Sequence, residues 1–424
     1  MPGHKGNGAL GCEALDLTEI NGADVLYSAD GIIAESEANT STLFGSYHTF
    51  YSTEGSTLCI KAMLALAAAS TPRGQRPLVL AARNVHKAFI YAAALLDLDV
   101  EWLYPQSNEH LCACKISAEQ VKCALESTSA FPCAVYITSP DYLGNIADVA
   151  RIAKVCDSFG VPLLVDNAHG AYLKFLQSSL HPIDLGASMC CDSAHKTLPV
   201  LTGGAYLHIA SKASAFADRA RVSLSVFAST SPSYLTLCSL DLCCAYLSDG
   251  YAQRLASVVK KIADMKRTLR AKGFELLGDE PLKITLGAHK LGYTGIEIAE
   301  ILRGRGIECE FADEEYTVLM ASSENTAEEL DSVLSALCSI EVEEPIEKKH
   351  LCLFPCERAM SVRDAIFGAT ESVSTSLSIG RVCASPTVSC PPAVPIAVSG
   401  EIISANAALL LEEYGITSVD VVKN

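Results

Sequence analysis

The sequence has few aromatic residues, few charged residues and no long hydrophobic run. Aromatic residues make up 7% and charged residues 19% of the 424 residues, whereas hydrophobic residues reach 50%. The longest apolar run, near Ala62–Ala69, is far shorter than the ~20 residues that a membrane-spanning helix needs. No apolar segment typical of a signal peptide follows Met1-Pro2-Gly3-His4-Lys5-Gly6. These features argue against a membrane protein and a disordered chain, and they predict a cytoplasmic globular protein.

Positive charge is also scarce. Lys and Arg total 32 while Asp and Glu total 49, which gives a net charge of −17 at pH 7. Because such a chain repels phosphate backbones, we expect no nucleic-acid partner. At ~150 residues per domain, the length predicts two or three domains.

Cysteine is plentiful but forms no recognisable metal or disulfide pattern. The 18 cysteines are scattered, with adjacent pairs at Cys190–Cys191 and Cys243–Cys244. Disulfide frameworks are typical of short secreted chains, and this chain is neither short nor loop-rich. The Cys-X-Cys at Cys112-Ala113-Cys114 has no second half with zinc-ligand spacing nearby. We therefore expect reduced, mostly buried cysteines and no metal site.

The chain is predicted to consist of an N-terminal arm, a large domain and a C-terminal domain. Residues 1–50 show little hydrophobic periodicity and are interpreted as an extended arm. Residues 51–250 alternate short apolar runs with helical segments, which predicts an α/β domain with a mostly parallel sheet. Residues 251–424 mix strands and helices, which predicts a smaller α+β domain. A long connector helix is predicted at Leu235–Arg270, ending at Lys272-Gly273.

The predicted elements share two patterns, namely short apolar runs for strands and longer periodic segments for helices. The strands are Leu78–Ala81, Val100–Leu103, Ala134–Ile137, Leu163–Val165, Ala187–Cys190, Lys283–Leu286, Thr317–Ala321 and His350–Leu353. The helices besides the connector are Leu58–Ser70, His86–Leu96, Ala118–Glu126, Asp148–Phe159, Gly295–Arg303, Ala327–Leu337 and Ala405–Glu413.

Three features with distinct chemistry follow predicted strands or begin a predicted helix. Asp166 follows an apolar strand, where it is either a helix cap or a site residue. Lys196 lies between Ser193 and Thr197 after another strand, where it is either a surface lysine or a reactive amine. Gly55-Ser56-Thr57 begins a helix. Together they supply what pyridoxal 5'-phosphate needs: donors for a phosphate, a carboxylate for the pyridine nitrogen and an amine for the aldehyde.

In these and four further motifs the sequence resembles the fold type I pyridoxal phosphate enzymes, and within them the Orn/Lys/Arg decarboxylase family. The motifs are Pro2-Gly3-His4-Lys5-Gly6, Asp16-Leu17-Thr18-Glu19, Glu54-Gly55-Ser56-Thr57, Arg83-Asn84-Val85-His86-Lys87, Asp166-Asn167-Ala168-His169-Gly170-Ala171, Ser193-Ala194-His195-Lys196-Thr197-Leu198, and Pro391-Pro392-Ala393-Val394-Pro395 with Gly400-Glu401. They occur in the family's order and span nearly the whole chain. The closest likeness is to the smaller bacterial members, which lack an N-terminal receiver-like domain. The resemblance implies an aspartate-aminotransferase-like large domain.

The resemblance also implies roles for residues around the cofactor ring. Lys196 would carry the cofactor as an internal aldimine, and Asp166 would pair with the pyridinium nitrogen. His86 would stack on the ring, although a capping or core histidine is the alternative. Ala168 would pack on the opposite face of the ring, and His169 would lie near the phenolic oxygen.

The remaining implied roles concern the phosphate and the substrate. Ser56, Thr57 and Ser193 would hold the phosphate together with the Gly55 turn, and His195 would lie beside it. Arg381 is a candidate to bind the α-carboxylate of the substrate, because a guanidinium can bind a carboxylate through two hydrogen bonds. A structural ion pair between domains is the alternative for Arg381.

The activity implied by the resemblance is decarboxylation of lysine, ornithine or arginine to the corresponding amine, in polyamine biosynthesis. An aminotransferase or lyase acting on another amino acid is an alternative, because Pro140-Asp141-Tyr142 and Asp166-Asn167-Ala168-His169 depart from the family's usual pattern. An inactive regulator that forms mixed oligomers is a second alternative. The resemblance further implies a homodimer or a higher homo-oligomer.

Overall fold

The computed structural model describes residues 2–105, 111, 113, 115–128, 130–347, 352–386 and 394–423. Cys112 and Cys114, part of the predicted strand His350–Leu353 and Pro391-Pro392-Ala393 lie outside the described residues. The described cysteines carry free thiols, as predicted. No helix in the described ranges combines the length and the hydropathy needed to cross a bilayer.

The secondary structure consists of helices and strands that alternate through the first half of the chain. The helices are α1 (Ile32–Phe44), α2 (Gly55–Ala68), α3 (Lys87–Leu96), α4 (Ala118–Ser127), α5 (Val149–Phe159), α6 (Ala194–Thr197), α7 (Ala217–Phe227), α8 (Tyr234–Ser248), α9 (Tyr251–Ala271), α10 (Gly295–Arg303), α11 (Ala327–Cys338), α12 (Val362–Phe367) and α13 (Ala405–Glu413). The strands are β1 (His48–Ser52), β2 (Leu78–Ala82), β3 (Asp99–Leu103), β4 (Ala134–Thr138), β5 (Leu163–Asp166), β6 (Met189–Asp192), β7 (Ala205–Ile209), β8 (Glu275–Leu277), β9 (Lys283–Gly287), β10 (Phe311–Ala312), β11 (Tyr316–Met320), β12 (Thr370–Ser374) and β13 (Ser418–Val422).

The largest sheet in the described part of the chain has seven strands in the order β1-β7-β6-β5-β4-β2-β3. Strands β4, β5 and β6 pair in parallel. Strand β7 lies antiparallel to both of its neighbours, β1 and β6, so β1 runs in the same direction as β6. Every residue of β2, β5, β6 and β7 is buried, as expected of strands covered on both faces. The predicted α/β class with a mostly parallel sheet is confirmed.

The chain divides into two compact units, each made of three stretches. The first unit comprises Met1–Val79, Val121–Ser139 and Asp148–Arg254. The second unit comprises Leu80–Gln120, Pro140–Ala147 and Leu255–Asn424. The domain boundaries at residues 50 and 250 remain a prediction.

The second unit contains two antiparallel sheets and a buried ion pair. Its sheets have the orders β10-β11-β9-β8 and β12-β13. The Arg83 guanidinium is fully buried and donates to both carboxylate oxygens of Glu401, at 2.6 and 2.8 Å. Its Nε also donates to the carbonyl of Pro395, at 3.1 Å. Arg83 therefore joins two of the motifs on which the family resemblance rests, its own and the one that contains Pro395 and Glu401.

The predicted N-terminal arm is wrong over its last third, where the chain forms helix α1 and most of strand β1. Helix α1 buries polar side chains, including Glu37 and Thr40, so it shows little apolar periodicity. The Glu37 carboxylate accepts a hydrogen bond from the backbone N–H of Tyr51 at 2.9 Å and forms an ion pair with Arg221 at 2.5 Å. These contacts satisfy the buried polar groups of α1. The same polar groups interrupt the apolar pattern from which a helix is predicted.

The single connector helix predicted at Leu235–Arg270 is also wrong. Helix α8 ends at Ser248, and α9 begins at Tyr251. Gly250 has a φ of +66° between them, a conformation that glycine adopts without strain. The pair Asp249-Gly250 is a turn signal, so this break was readable from the sequence.

Candidate active site

The candidate site lies in the first unit, where two neighbouring parallel strands end. Strand β5 ends with Asp166, and β6 ends with Asp192, two residues before the short helix α6 that carries Lys196. Asp166 is the register partner of Cys191. Because parallel strands end at the same edge of a sheet, the loops after β5 and β6 are adjacent.

Lys196 contacts the loop that follows β5. Its Nζ lies 3.1 Å from Nε2 of His169, a ring that is 4% exposed. Lys196 itself is only partly buried. Of the two interpretations of Lys196, the isolated surface lysine does not describe its surroundings, because the amine contacts a buried histidine three residues after Asp166.

The Asp166 carboxylate is buried and accepts hydrogen bonds on both oxygens. The Tyr136 hydroxyl donates to Oδ2 at 3.3 Å. The backbone N–H of Ala168 donates to Oδ1 at 3.2 Å, and the Cys191 thiol lies 3.7 Å from the same oxygen. Burial, and then the negative charge of Asp166, raise the pKa of Tyr136 well above its usual value. Burial and the same charge also raise the pKa of Cys191.

Serine hydroxyls from two distant segments meet at the start of helix α2. The Ser193 hydroxyl donates to Oγ of Ser56 at 2.8 Å. Gly55 has a φ of +72° and donates its N–H to Gly203 O at 2.7 Å. The first N–H groups of a 14-residue helix have no partner within the helix, so this end favours an anion. Ser56, Thr57 and Ser193 thus lie where a phosphate is favoured.

His195 is held by the loop before β7. Its Nδ1 lies 3.0 Å from the carbonyl oxygen of Gly204. The neighbouring Gly203 has a φ of +95°, and a Cβ there would lie 2.7 Å from Thr53 O. Only glycine permits this close approach between the loop and the segment before α2.

His86 and Arg381, the two remaining predicted site residues, belong to the second unit. His86 is exposed at the N-cap of α3, where its Nδ1 accepts from the N–H of Ala88 at 3.2 Å. Arg381 forms an ion pair with Glu371 at 2.6 Å and donates to Val422 O at 3.0 Å. The contact of His86 agrees with the capping alternative. The ion pair of Arg381 lies within the second unit and not between the predicted domains. The stacking and carboxylate-binding roles remain predictions.

A buried network centred on Asp192 was not predicted from the sequence. Asp192 Oδ1 accepts from Nδ2 of Asn167 at 2.6 Å. Its Oδ2 accepts from Nε2 of His181 at 3.0 Å and from Nε2 of His208 at 3.1 Å. Thr49 Oγ1 lies 2.8 Å from the other nitrogen of His208. A histidine inside the apolar strand β7 was the available signal, because a buried imidazole requires partners.

The network shifts the pKa values of Asp192 and His208 and links the two loops of the site. Burial alone would raise the pKa of Asp192, but His181 and His208 hold this pKa well below its usual value. Burial lowers the pKa of His208. Asp192 is therefore an anion that accepts hydrogen bonds from both imidazoles. Since Asn167 follows Asp166 directly, its bond to Asp192 ties the loop after β5 to the end of β6.

We expect the free energy of unfolding to fall as the pH drops below about 6.5. The pKa of His208 is lower in the folded than in the unfolded chain, so the unfolded chain binds more protons in this range. One such histidine contributes up to ~1.4 kcal/mol per pH unit. The lowered pKa of Asp192 acts in the same direction below about pH 4. Urea unfolding at pH 7.5 and 5.5 measures the effect.

The His208→Gln variant provides the comparison for this pH dependence, because it removes the titrating ring and keeps an amide donor. Its loss of stability between pH 7.5 and 5.5 should be smaller than that of the wild type. His289→Gln, which changes a histidine of the second unit, is the control for removing a histidine outside the Asp192 network. Equal pH dependence in the wild type and His208→Gln would contradict the assignment.

Comparison with known proteins identifies a matching family and several relatives. The family model described as "Orn/Lys/Arg decarboxylase, major domain" matches residues 12–283. The chain is 29% identical to an arginine decarboxylase of Halalkalibacterium halodurans, over 97% of this chain and 89% of that protein. It is also 29% identical to an arginine decarboxylase of Bacillus subtilis, over 95% of this chain and 87% of that protein.

Two solved structures share the fold across the whole chain. The constitutive lysine decarboxylase of E. coli matches with a TM-score of 0.79 at 18% identity, covering 100% of this chain and 79% of that chain. The lysine decarboxylase of Francisella novicida matches with a TM-score of 0.83 at 16% identity, covering 100% of this chain and 78% of that chain. These similarities confirm the fold class predicted from the sequence.

Proposed function

The chain belongs to the Orn/Lys/Arg decarboxylase family, and on this premise we propose that it decarboxylates a basic amino acid with pyridoxal 5'-phosphate as cofactor. Arginine is the first candidate substrate, because two relatives that match nearly the whole chain are named arginine decarboxylases. The observation that carries the proposal is the contact between Lys196 and His169 beside the buried Asp166, at the end of β5. An amine and a buried carboxylate thus lie in neighbouring loops at the edge of the sheet where α/β proteins bind ligands.

The donor set fits the cofactor at each of its polar groups. Lys196 supplies the amine that binds the aldehyde, and Asp166 supplies a buried carboxylate for the ring nitrogen. The hydroxyls of Ser56, Thr57 and Ser193, together with the N–H groups at the start of α2 and the Gly55 turn, would hold the phosphate.

We propose five further contacts to the cofactor and the substrate. His195 would lie beside the phosphate, Ala168 would contact one face and His86 would stack on the other. His169 would lie near the phenolic oxygen, and Arg381 would bind the substrate carboxylate.

The cofactor, when bound, supplies a ring that accepts the electron pair left on Cα as CO2 departs. Asp166 holds a proton at the ring nitrogen, which makes the ring a better acceptor. Lys196 would hold the cofactor through its amine, and His169 Nε2 would give that amine a hydrogen-bond partner when it is free. Residues that hold the carboxylate of the substrate perpendicular to the ring select which bond breaks.

The experiment that tests this function combines CO2 release with product analysis. The purified protein, reconstituted with pyridoxal 5'-phosphate, is incubated separately with L-arginine, L-lysine and L-ornithine. We expect one of them, with arginine first, to yield CO2 and the corresponding amine in equal amounts. L-glutamate and L-alanine are the matched controls and should yield neither.

Two other outcomes correspond to the alternative functions. A keto acid product with conversion of the cofactor to its amine form would identify an aminotransferase. A cofactor-loaded protein that shows no turnover and co-purifies with a full-length paralogue would support the inactive regulator. Light scattering on the same preparation should give at least twice 45.0 kDa, since we also propose a homo-oligomer. We propose a cytoplasmic location for this enzyme.

A further inference from the structure

Two buried side chains approach Asp166 from the strands on either side of β5. Tyr136 lies on β4 and is fully buried, and its hydroxyl donates to Oδ2 of Asp166 at 3.3 Å. Cys191 lies on β6 and is fully buried, and its thiol lies 3.7 Å from Oδ1. Both contacts join side chains, so the backbone pairing of the sheet does not require them. Each oxygen of the carboxylate thus faces a donor from a different neighbouring strand.

Both side chains remain protonated in the working pH range. Burial and the charge of Asp166 raise the pKa of Tyr136 and of Cys191 well above their usual values. A neutral hydroxyl and a neutral thiol can only stabilise the ionised form of the carboxylate by donating to it. The hydroxyl is the stronger donor of the two.

We propose that Tyr136 and Cys191 are positioning residues that orient the Asp166 carboxylate and hold it ionised, so that a proton shared with the cofactor stays on the ring nitrogen. This inference rests on the proposed function, because it concerns the carboxylate assigned to the cofactor. Hydrogen bonds to a carboxylate lower its affinity for a proton. Removing them shifts the shared proton towards Asp166 and makes the ring a weaker electron acceptor.

The test compares variants that remove a donor with matched variants that remove the same group elsewhere in the sheet. Tyr136→Phe removes the hydroxyl that contacts Asp166, and Tyr206→Phe removes a buried hydroxyl from β7. Cys191→Ala removes the thiol that contacts Asp166, and Cys190→Ala removes the adjacent thiol, whose sulfur lies 4.0 Å from His181 Nε2. Cys191→Ser restores a donor at the same position. These small changes preserve the packing volume of the sheet closely enough to keep the fold.

The principal readout is the ¹⁵N chemical shift of the ring nitrogen in protein loaded with ¹⁵N-labelled cofactor. We expect Tyr136→Phe to move this shift towards the unprotonated value and to lower kcat by roughly tenfold, the effect of losing one hydrogen bond to a charged group. Cys191→Ala should give a smaller change of the same sign, and Cys191→Ser should reverse it. Tyr206→Phe and Cys190→Ala should leave the shift at the wild-type value.

An unchanged ¹⁵N shift in both Tyr136→Phe and Cys191→Ala would overturn the inference. Equal changes in the matched variants would also overturn it, because they would reflect general packing. Failure of the proposed function can be told apart from failure of this inference. In a wild-type protein that binds the cofactor but does not decarboxylate, the ¹⁵N shift of the ring nitrogen can still be measured. A wild-type protein that binds no cofactor would contradict the function itself.

Discussion

Replacing Lys196 with alanine is expected to lower the decarboxylation rate by about four orders of magnitude or more, the scale seen when a covalent catalytic residue is removed. The Nζ of Lys196 contacts His169 in the loop that follows Asp166, so this amine is available where the cofactor's aldehyde would bind. Without it, the cofactor loses its attachment and the substrate loses the exchange through which it enters the site. Initial rates of CO2 release, with the cofactor in excess, measure the effect.

Lys212→Ala is the matched control for Lys196→Ala. Lys212 lies in the same unit and is paired with Asp157 on the surface, so its loss should change the rate little and stability by less than ~1 kcal/mol. If Lys196→Ala kept more than a tenth of the wild-type rate while Lys212→Ala behaved normally, the covalent role of Lys196 would be refuted.

Replacing Asp166 with asparagine is expected to lower kcat by about a thousandfold, as when a preorganised electrostatic contact to the reacting system is lost. The substitution keeps the volume of the side chain but removes the charge that holds a proton on the ring nitrogen. Because the amine of Lys196 remains, the cofactor should still bind, which separates a chemical defect from unfolding. The measurements are kcat and the amount of cofactor carried by the purified variant.

The control for Asp166→Asn is Asp184→Asn, which removes a carboxylate that binds Lys174 at the surface of the same unit. Its kcat should be close to that of the wild type. A loaded Asp166→Asn variant with a kcat within tenfold of the wild type would contradict the assignment of Asp166 to the ring nitrogen.

The parallel core of the fold was predictable because its strands are short apolar runs separated by helices. Strands β2, β4 and β5 lie where the sequence predicted them. Strand β7 was missed because it runs antiparallel and follows no helical segment of ordinary length. Helix α1 was missed because its buried face includes Glu37 and Thr40, whose contacts come from distant parts of the chain.

The candidate site was predictable as separate motifs, whereas the contacts among them were not. Ser56 and Ser193 are 137 residues apart in sequence, and nothing local to either residue indicates the hydrogen bond between them. Tyr136 has the appearance of an ordinary core aromatic residue until β4 and β5 pair. Long-range pairing of this kind is set by the tertiary fold, which single-sequence patterns do not encode.

The ion pairs and hydrogen bonds of Asp192 were likewise not predictable from the sequence. Asp192 stands next to Ser193 in a recognisable motif, yet its partners His181 and His208 come from a loop and from strand β7. Whether a buried carboxylate destabilises or stabilises the fold depends on those hydrogen-bond donors. The sequence shows the carboxylate, but it does not indicate which residues hydrogen-bond to it.

The most direct test of the central claim is to locate the cofactor on the chain. The protein is loaded with pyridoxal 5'-phosphate, the carbon–nitrogen bond to the protein is reduced with borohydride, and the digested peptides are analysed by mass spectrometry. We expect the cofactor's mass on the peptide containing Lys196, and no cofactor mass on that peptide when excess L-arginine is added before reduction. A label on another lysine, or no label on a protein that decarboxylates, would contradict the account.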